Sequence, residues 1–245
     1  MKKQLLYASL FFTLLSSCVS PLPISRLSSE EPQGKWVAGR KYVTQTQGDY
    51  SMTLSFYKSD GDLLLFDALF ENLDGSEVEF SPMQARIIAL NSEKSVISTL
   101  YPLDPESKLL EFDKSESRER ARLANQSISN AVATTSDLVA TVIEESDPNI
   151  SRQQADANYN QREWDRQNRL ADMDRQEAYL ESIKNTRLYW EEAPIRRTTV
   201  GSNEYIEGRM FFERTEEASF YTITFDIPNV GKFEFNYKHE LITPY

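Results

Sequence analysis

Glycine is missing from the middle of this chain. All eight glycines lie outside residues 76–200, at Gly34, Gly39, Gly48, Gly61, Gly75, Gly201, Gly208 and Gly231. A segment without the residue that most readily enters turns favours long regular structure. Within residues 104–187 there are two prolines, and each directly follows an aspartate: Asp104-Pro105 and Asp147-Pro148. An Asp N-cap accepts from the free N–H groups of a first helical turn, and Pro at the next position has no N–H to leave unpaired. These signatures predict helices over residues 105–145 and 148–184, each roughly 55–60 Å long at 1.5 Å per residue. Similar lengths and a short link predict an antiparallel hairpin. Thr134-Thr135-Ser136-Asp137 is the place where the first helix could break.

Ile128, Val132, Val139 and Val142 recur at three-and-four spacing beside Ala131 and Ala140, and Leu170, Met173 and Leu180 recur in the second helix. These stripes are expected to close on each other as a coiled-coil seam. The rest of the second helix is polar, with Asp165→Arg169 at i,i+4 and Asp172→Arg175 at i,i+3. Such pairs contribute about 0.2–0.5 kcal/mol each. Trp164, Arg166 and Arg169 are therefore expected on a solvated outer face, available to another molecule.

The flanks read differently. Ser51–Phe56, Tyr221–Ile227 and Phe233–Lys238 alternate polar and apolar residues, rich in aromatic and β-branched types. That period marks half-buried strands. Further strands are expected near 35–44, 62–71, 84–90, 95–101 and 206–213, seven or eight in all. Asp60-Gly61 and Asn72-Leu73-Asp74-Gly75 read as hairpin turns. The expected fold is an all-β immunoglobulin-like sandwich of residues 35–103 plus 188–245, with a long α-helical hairpin inserted at 104–187, α+β overall. The run Leu64-Leu65-Phe66-Asp67-Ala68-Leu69-Phe70-Glu71-Asn72 resembles the strand, Asn and turn of immunoglobulin-like domains in bacterial lipoproteins. Asn185-Thr186-Arg187-Leu188, Glu207–Phe212 and the Phe233/Phe235 strand are similar to the second half of those domains. Members are mostly of unknown function, so the resemblance implies a fold and no activity.

At the N-terminus, Lys2 and Lys3 precede an apolar run from Leu5 to Leu15. The run is too short for a membrane span of roughly 20 residues and suits a secretory signal. Leu15-Ser16-Ser17-Cys18 resembles the bacterial lipobox, which implies a signal peptide at 1–17 and a lipid-modified Cys18. Cys18 is the single cysteine, which excludes an intramolecular disulfide. Two or three acyl chains, at about 0.8 kcal/mol per buried CH₂, anchor durably. By the same resemblance, Val19 after the Cys points to the outer membrane and a periplasmic face. Residues 18–34, rich in Pro, Ser and Glu, are expected to form a flexible tether reaching at most about 50 Å.

Removing residues 1–17 takes away Lys2 and Lys3 and no acid, moving the net charge from −11 to −13. That balance argues against nucleic-acid partners, which need basic phosphate contacts. No cofactor motif, metal-ligand set or catalytic constellation is visible. His239 is the only histidine, and it reads as a surface residue of the last strand. Asp60-Gly61-Asp62 reads as a turn and not a calcium loop. The doublets Glu144/Glu145, Glu191/Glu192 and Glu216/Glu217 read as charged surface. Trp36 and Trp190 read as core or rim packing, and Trp164 as either packed or exposed. The leading expectation is a non-enzymatic, lipid-anchored envelope protein presenting a helical hairpin to an envelope partner or to its own copies. A glycan- or peptide-binding module is the alternative, and a carboxylate hydrolase with acids roughly 5–9.5 Å apart is the third.

Overall fold

The computed structural model describes residues 24–242. Cys18 and the expected signal peptide lie outside the described residues. The chain divides into a helical unit, Leu103–Arg196, and a β unit formed by the chain on either side of it.

The β unit contains β1 (Ile24–Ser29), β2 (Lys35–Val37), β3 (Arg40–Gln47), β4 (Tyr50–Asp60), β5 (Leu63–Asn72), β6 (Val78–Phe80), β7 (Ala85–Leu90), β8 (Val96–Leu100), β9 (Thr198–Val200), β10 (Glu204–Glu213), β11 (Phe220–Ile227) and β12 (Gly231–Ile242). One antiparallel sheet runs β1-β12-β11-β7-β8 and a second runs β10-β5-β4-β3-β2, while β6 pairs with β9. The alternating segments became strands because each buries one face. Phe66 and Phe212 of one sheet and Phe225, Phe235 and Tyr237 of the other are fully buried. The Phe66 and Tyr237 rings meet edge to face with centroids 5.3 Å apart, so side chains of both sheets share one core.

Three local expectations change. Residues 35–44 form two strands, because Ala38 and Gly39 both take positive φ (47° and 78°) and close a tight hairpin between β2 and β3. Asp60-Gly61 is the β4–β5 turn as expected, with Gly61 at φ 56°. The Asn72–Gly75 segment is not a hairpin turn, because β6 leaves β5 and pairs with β9. Asn72 is buried and its Nδ2 donates to the carbonyls of Ser76 (2.8 Å) and Val200 (3.0 Å), which fixes that departure.

The third change concerns the tether. Ile24–Ser29 is not free chain but an edge strand, with Leu27 opposite His239 and Ser25 opposite Leu241. Ser25 and Leu27 alternate inward with exposed Ile24, Arg26 and Ser28. Five alternating residues are too few to stand out beside a Pro- and Ser-rich stretch. The backbone of β12 supplies the missing partner.

The helical unit holds α1 (Pro105–Ser146) and α2 (Arg152–Glu192). Asp104 caps α1 as expected, accepting from the Glu106 N–H at 3.2 Å. α1 passes unbroken through Thr134–Asp137, where the Thr135 hydroxyl donates to the Ala131 carbonyl one turn back. The second Asp-Pro does not start α2. Asp147 accepts from the Asn149 N–H (2.9 Å) and closes the link, and Ser151 is the cap, accepting from Gln154 N–H at 3.3 Å. α2 then continues to Glu192, so Asn185–Leu188 is helix and not part of the β unit, and the helical unit extends beyond residue 187. No described helix is long and apolar enough to cross a membrane.

Candidate interaction surface on the helical hairpin

The seam between α1 and α2 is not the one that apolar spacing suggests. The inward positions of α1 run Leu109, Phe112, Glu116, Glu119, Leu123, Gln126, Asn130, Ala133, Asp137, Ala140 and Glu144, all buried or half-buried. Their alternating three-and-four spacing is the heptad of an antiparallel coiled coil. On α2 the corresponding series includes Asn158, Arg162, Asp165, Arg169, Gln176, Leu180, Ile183, Arg187 and Trp190.

Apolar contact holds the end where the chain enters and leaves, with Leu109, Leu180, Ile183 and Trp190 buried. Toward the turn the seam is polar. Asn130 Nδ2 donates to Met173 Sδ (2.8 Å), and Arg169 pairs with Asp137 (2.9 Å). Arg162 forks onto both Glu144 oxygens (3.0 and 2.8 Å), and its other contact is Thr141 Oγ1 (3.2 Å). Asn158 adds a third donor to Glu144 at 3.0 Å. These donors hold the Glu144 carboxyl below the usual carboxylate range, Arg162 contributing most.

Ile128, Val132, Val139 and Val142 lie two residues out of phase with this seam, about 200° around the helix. They face solvent: Val132 is 62 % exposed and Val142 64 %. The expected closure of this stripe on Leu170, Met173 and Leu180 does not occur. Met173 and Leu180 face α1, whereas Leu170 is exposed. The stripe forms an open groove of about 550 Å³ lined by Val132, Val139 and Ile143 among the small residues Ala131, Thr135, Ser136 and Ala140. Leaving such side chains in water forgoes roughly 1.5–3 kcal/mol each relative to full burial. Between Leu123 and Ile143 the one charged residue is Asp137, which is turned to Arg169. The outcome is an uncharged, apolar, β-branched strip along one side of a helix.

The other residues singled out by sequence fall as follows. Trp164 is 61 % exposed, and Arg166 beside it pairs with Glu163 at 2.7 Å. Arg169 is not on this outer face, since it bridges to Asp137 and leaves Asp165 for Gln161 (3.2 Å). Arg175 does pair with Asp172. Trp190 is buried, but Trp36 is 66 % exposed, against the packing expected of it. Glu144 belongs to the seam, and Glu191 pairs with Arg187 at 2.9 Å. Asp60 pairs with Lys58, and Asp62 with Arg214 at 3.5 Å.

His239 is not a surface residue. It is 7 % exposed, with Nε2 2.6 Å from Ser25 Oγ and Nδ1 2.5 Å from the Ala218 carbonyl. The carbonyl can only accept, so Nδ1 donates to it, and Nε2 shares a hydrogen bond with the Ser25 hydroxyl. Ser25 is itself buried and does not face solvent. Its role here is to fasten β1 onto β12. Nothing in the local sequence around His239 reveals this, because the covering strand lies 214 residues away.

No protein-family model, curated protein or solved structure matches this chain.

Proposed function

We propose that this chain is a lipid-anchored protein of a bacterial envelope whose role is structural, with the helical hairpin as its interaction element and no catalytic centre. The observation that carries the reading is the outward apolar stripe of α1. Charged and amide side chains occupy the seam toward the turn, while Ile128, Val132, Val139 and Val142 face water. A hairpin that only filled a loop would gain by the reverse arrangement. The partner that fits the strip is another apolar helix, from an envelope protein or a second copy. The protein's acidity does not favour nucleic acid as the partner.

The anchor rests on the lipobox-like Leu15–Cys18 run. Since β1 begins at Ile24, a lipid at Cys18 would hold the β unit within about 20 Å of the bilayer at 3.3–3.6 Å per residue. Val19 favours the outer membrane, periplasmic side. The immunoglobulin-like assignment is supported by two facing antiparallel sheets with crossings from β5 to β7 and β10 to β11, while the β3-β4-β5 meander departs from that pattern.

The test is crosslinking in cells of wild type against Val132→Glu/Val139→Glu. Crosslinked species should disappear while the purified variant keeps its helical circular dichroism. Identical species in both would remove the basis for the reading. Sedimentation of the purified protein separates self-association from a different partner. A second reading, ligand binding by the β unit, is favoured by the aromatic cleft beside Trp36.

A further inference from the structure

A cleft of about 390 Å³ opens between β1 and the β2–β3 hairpin, within the size range of small-molecule sites. It is independent of the helical hairpin. Its rim carries Trp36 on a three-residue strand whose members are all exposed, so the indole has a free face. The wall behind is built by a β-bulge: the β4–β5 register slips between Phe56 and Lys58. Bulges re-aim side chains, and are over-represented beside functional sites. Here the slip accompanies a stack in which the Tyr57 ring lies 5.0 Å from the Arg40 guanidinium and 4.1 Å from that of Arg209. Both arginines contact the carboxylate of Asp67.

Two more cations line the same cleft. Lys41 donates to the Glu31 carbonyl, a neutral acceptor that leaves the ammonium charge in place, and Arg26 stands on β1. Three cations, Arg26, Arg40 and Lys41, in the lining of one cleft on a chain of net charge −11 point to an anionic ligand. At the back is Tyr237, 1 % exposed, whose hydroxyl has no hydrogen-bond partner among the described residues. Burial pushes this phenol above its usual pKa, so it stays an O–H donor. Buried hydroxyls are rarely left unpaired, and this one borders an open cleft.

We infer that the cleft binds an acidic sugar, with the apolar face of a pyranose on Trp36, its carboxylate between Arg26 and Lys41, and a ring hydroxyl accepting from Tyr237. A flat apolar face, one anion and several hydroxyls on one small ligand match the three features together. A neutral sugar leaves the cations unused, and a bare carboxylate leaves Trp36 unused.

The experiment titrates the Cys18→Ser chain, which takes no lipid and needs no detergent, with trigalacturonate by calorimetry. Maltotriose, triglutamate and phosphatidylglycerol vesicles are run beside it. Trigalacturonate should bind saturably and at least tenfold more tightly than either maltotriose or triglutamate. Trp36→Ala and Arg26→Gln should each weaken it at least tenfold with unchanged melting, as both side chains lie at the surface. Tyr237→Phe should weaken it severalfold, separating the donor from the ring. No trigalacturonate binding, equal binding of maltotriose or triglutamate, binding of the vesicles alone, or indifference to both Trp36→Ala and Arg26→Gln would each overturn the assignment.

Discussion

Asp137 of α1 and Arg169 of α2 meet at 2.9 Å across the hairpin, while Val139, two residues further along α1, is exposed. The polar group faces the partner helix and the apolar one faces water. A half-buried ion pair contributes little beyond well-packed apolar residues at the same place, but leaving one charge alone is unfavourable. Asp137→Leu with Arg169→Leu should therefore match or raise the melting temperature of the helical signal, by up to about 2–4 °C per kcal/mol gained. Asp137→Leu alone should lower it. Thermal circular dichroism of the three proteins is the check, and a double variant less stable than the single one would contradict the seam described.

The Glu144–Arg162 fork gives a pH dependence. Arg162, then Asn158, holds the Glu144 carboxyl below its ordinary value of 4.5. A carboxylate whose pKa is depressed on folding contributes stability that is complete above the unfolded value and is lost as pH falls through the lowered folded one. Glu144→Gln should thus melt earlier than wild type at neutral pH. The difference should close on acidification, as pH falls below 4.5 and through the lowered folded value. A gap that stays constant from neutral to acid pH would mean the fork does not form.

His239→Leu removes a ring that satisfies the Ser25 hydroxyl and the Ala218 carbonyl, both within the β unit. Two buried polar groups then lose partners, at about 1–3 kcal/mol for each one left unpaired. Amide exchange should accelerate first in Ile24–Ser29, the edge strand that depends on this bond, and less in β11. Ser25→Ala should reproduce the direction with a smaller effect.

Cys18→Ser should abolish labelling by a palmitate analogue and move the protein from the membrane fraction to the soluble one. Retained labelling would remove the anchor from the proposal. The β unit itself should melt unchanged, since its first strand begins at Ile24.

Replacing Leu103–Arg196 by a short Gly/Ser loop should leave a β unit that melts cooperatively and lacks the helical signal. The replaced segment is a compact unit of its own, and loop closure entropy varies only slowly with loop length. Loss of all cooperative unfolding would show that the two units fold as one.

Those experiments fall on features of two kinds. The long helices, the Asp104 cap, the Asp60-Gly61 turn and the alternating strands of β4, β11 and β12 are legible in the sequence, because propensity, capping and face periodicity act over a few neighbouring residues. The identity of the inward face of α1 is not. The series through Asn130 and Asp137 and the series through Val132 and Val139 share the same spacing, and apolarity alone selects the wrong one. The decision lies in α2, whose Arg162 and Arg169 find acids only on the Glu144 and Asp137 side. β6 and β9 are three residues each, and β1 only six, too short to announce a period. Their hydrogen bonds come from strands more than 100 residues away in sequence. The burial of His239 and the grouping of Trp36, Arg26, Lys41 and Tyr237 around one cleft follow from the same cause. Only the assembled sheets bring residues from the two ends of the chain together, and no local rule of sequence carries that distance.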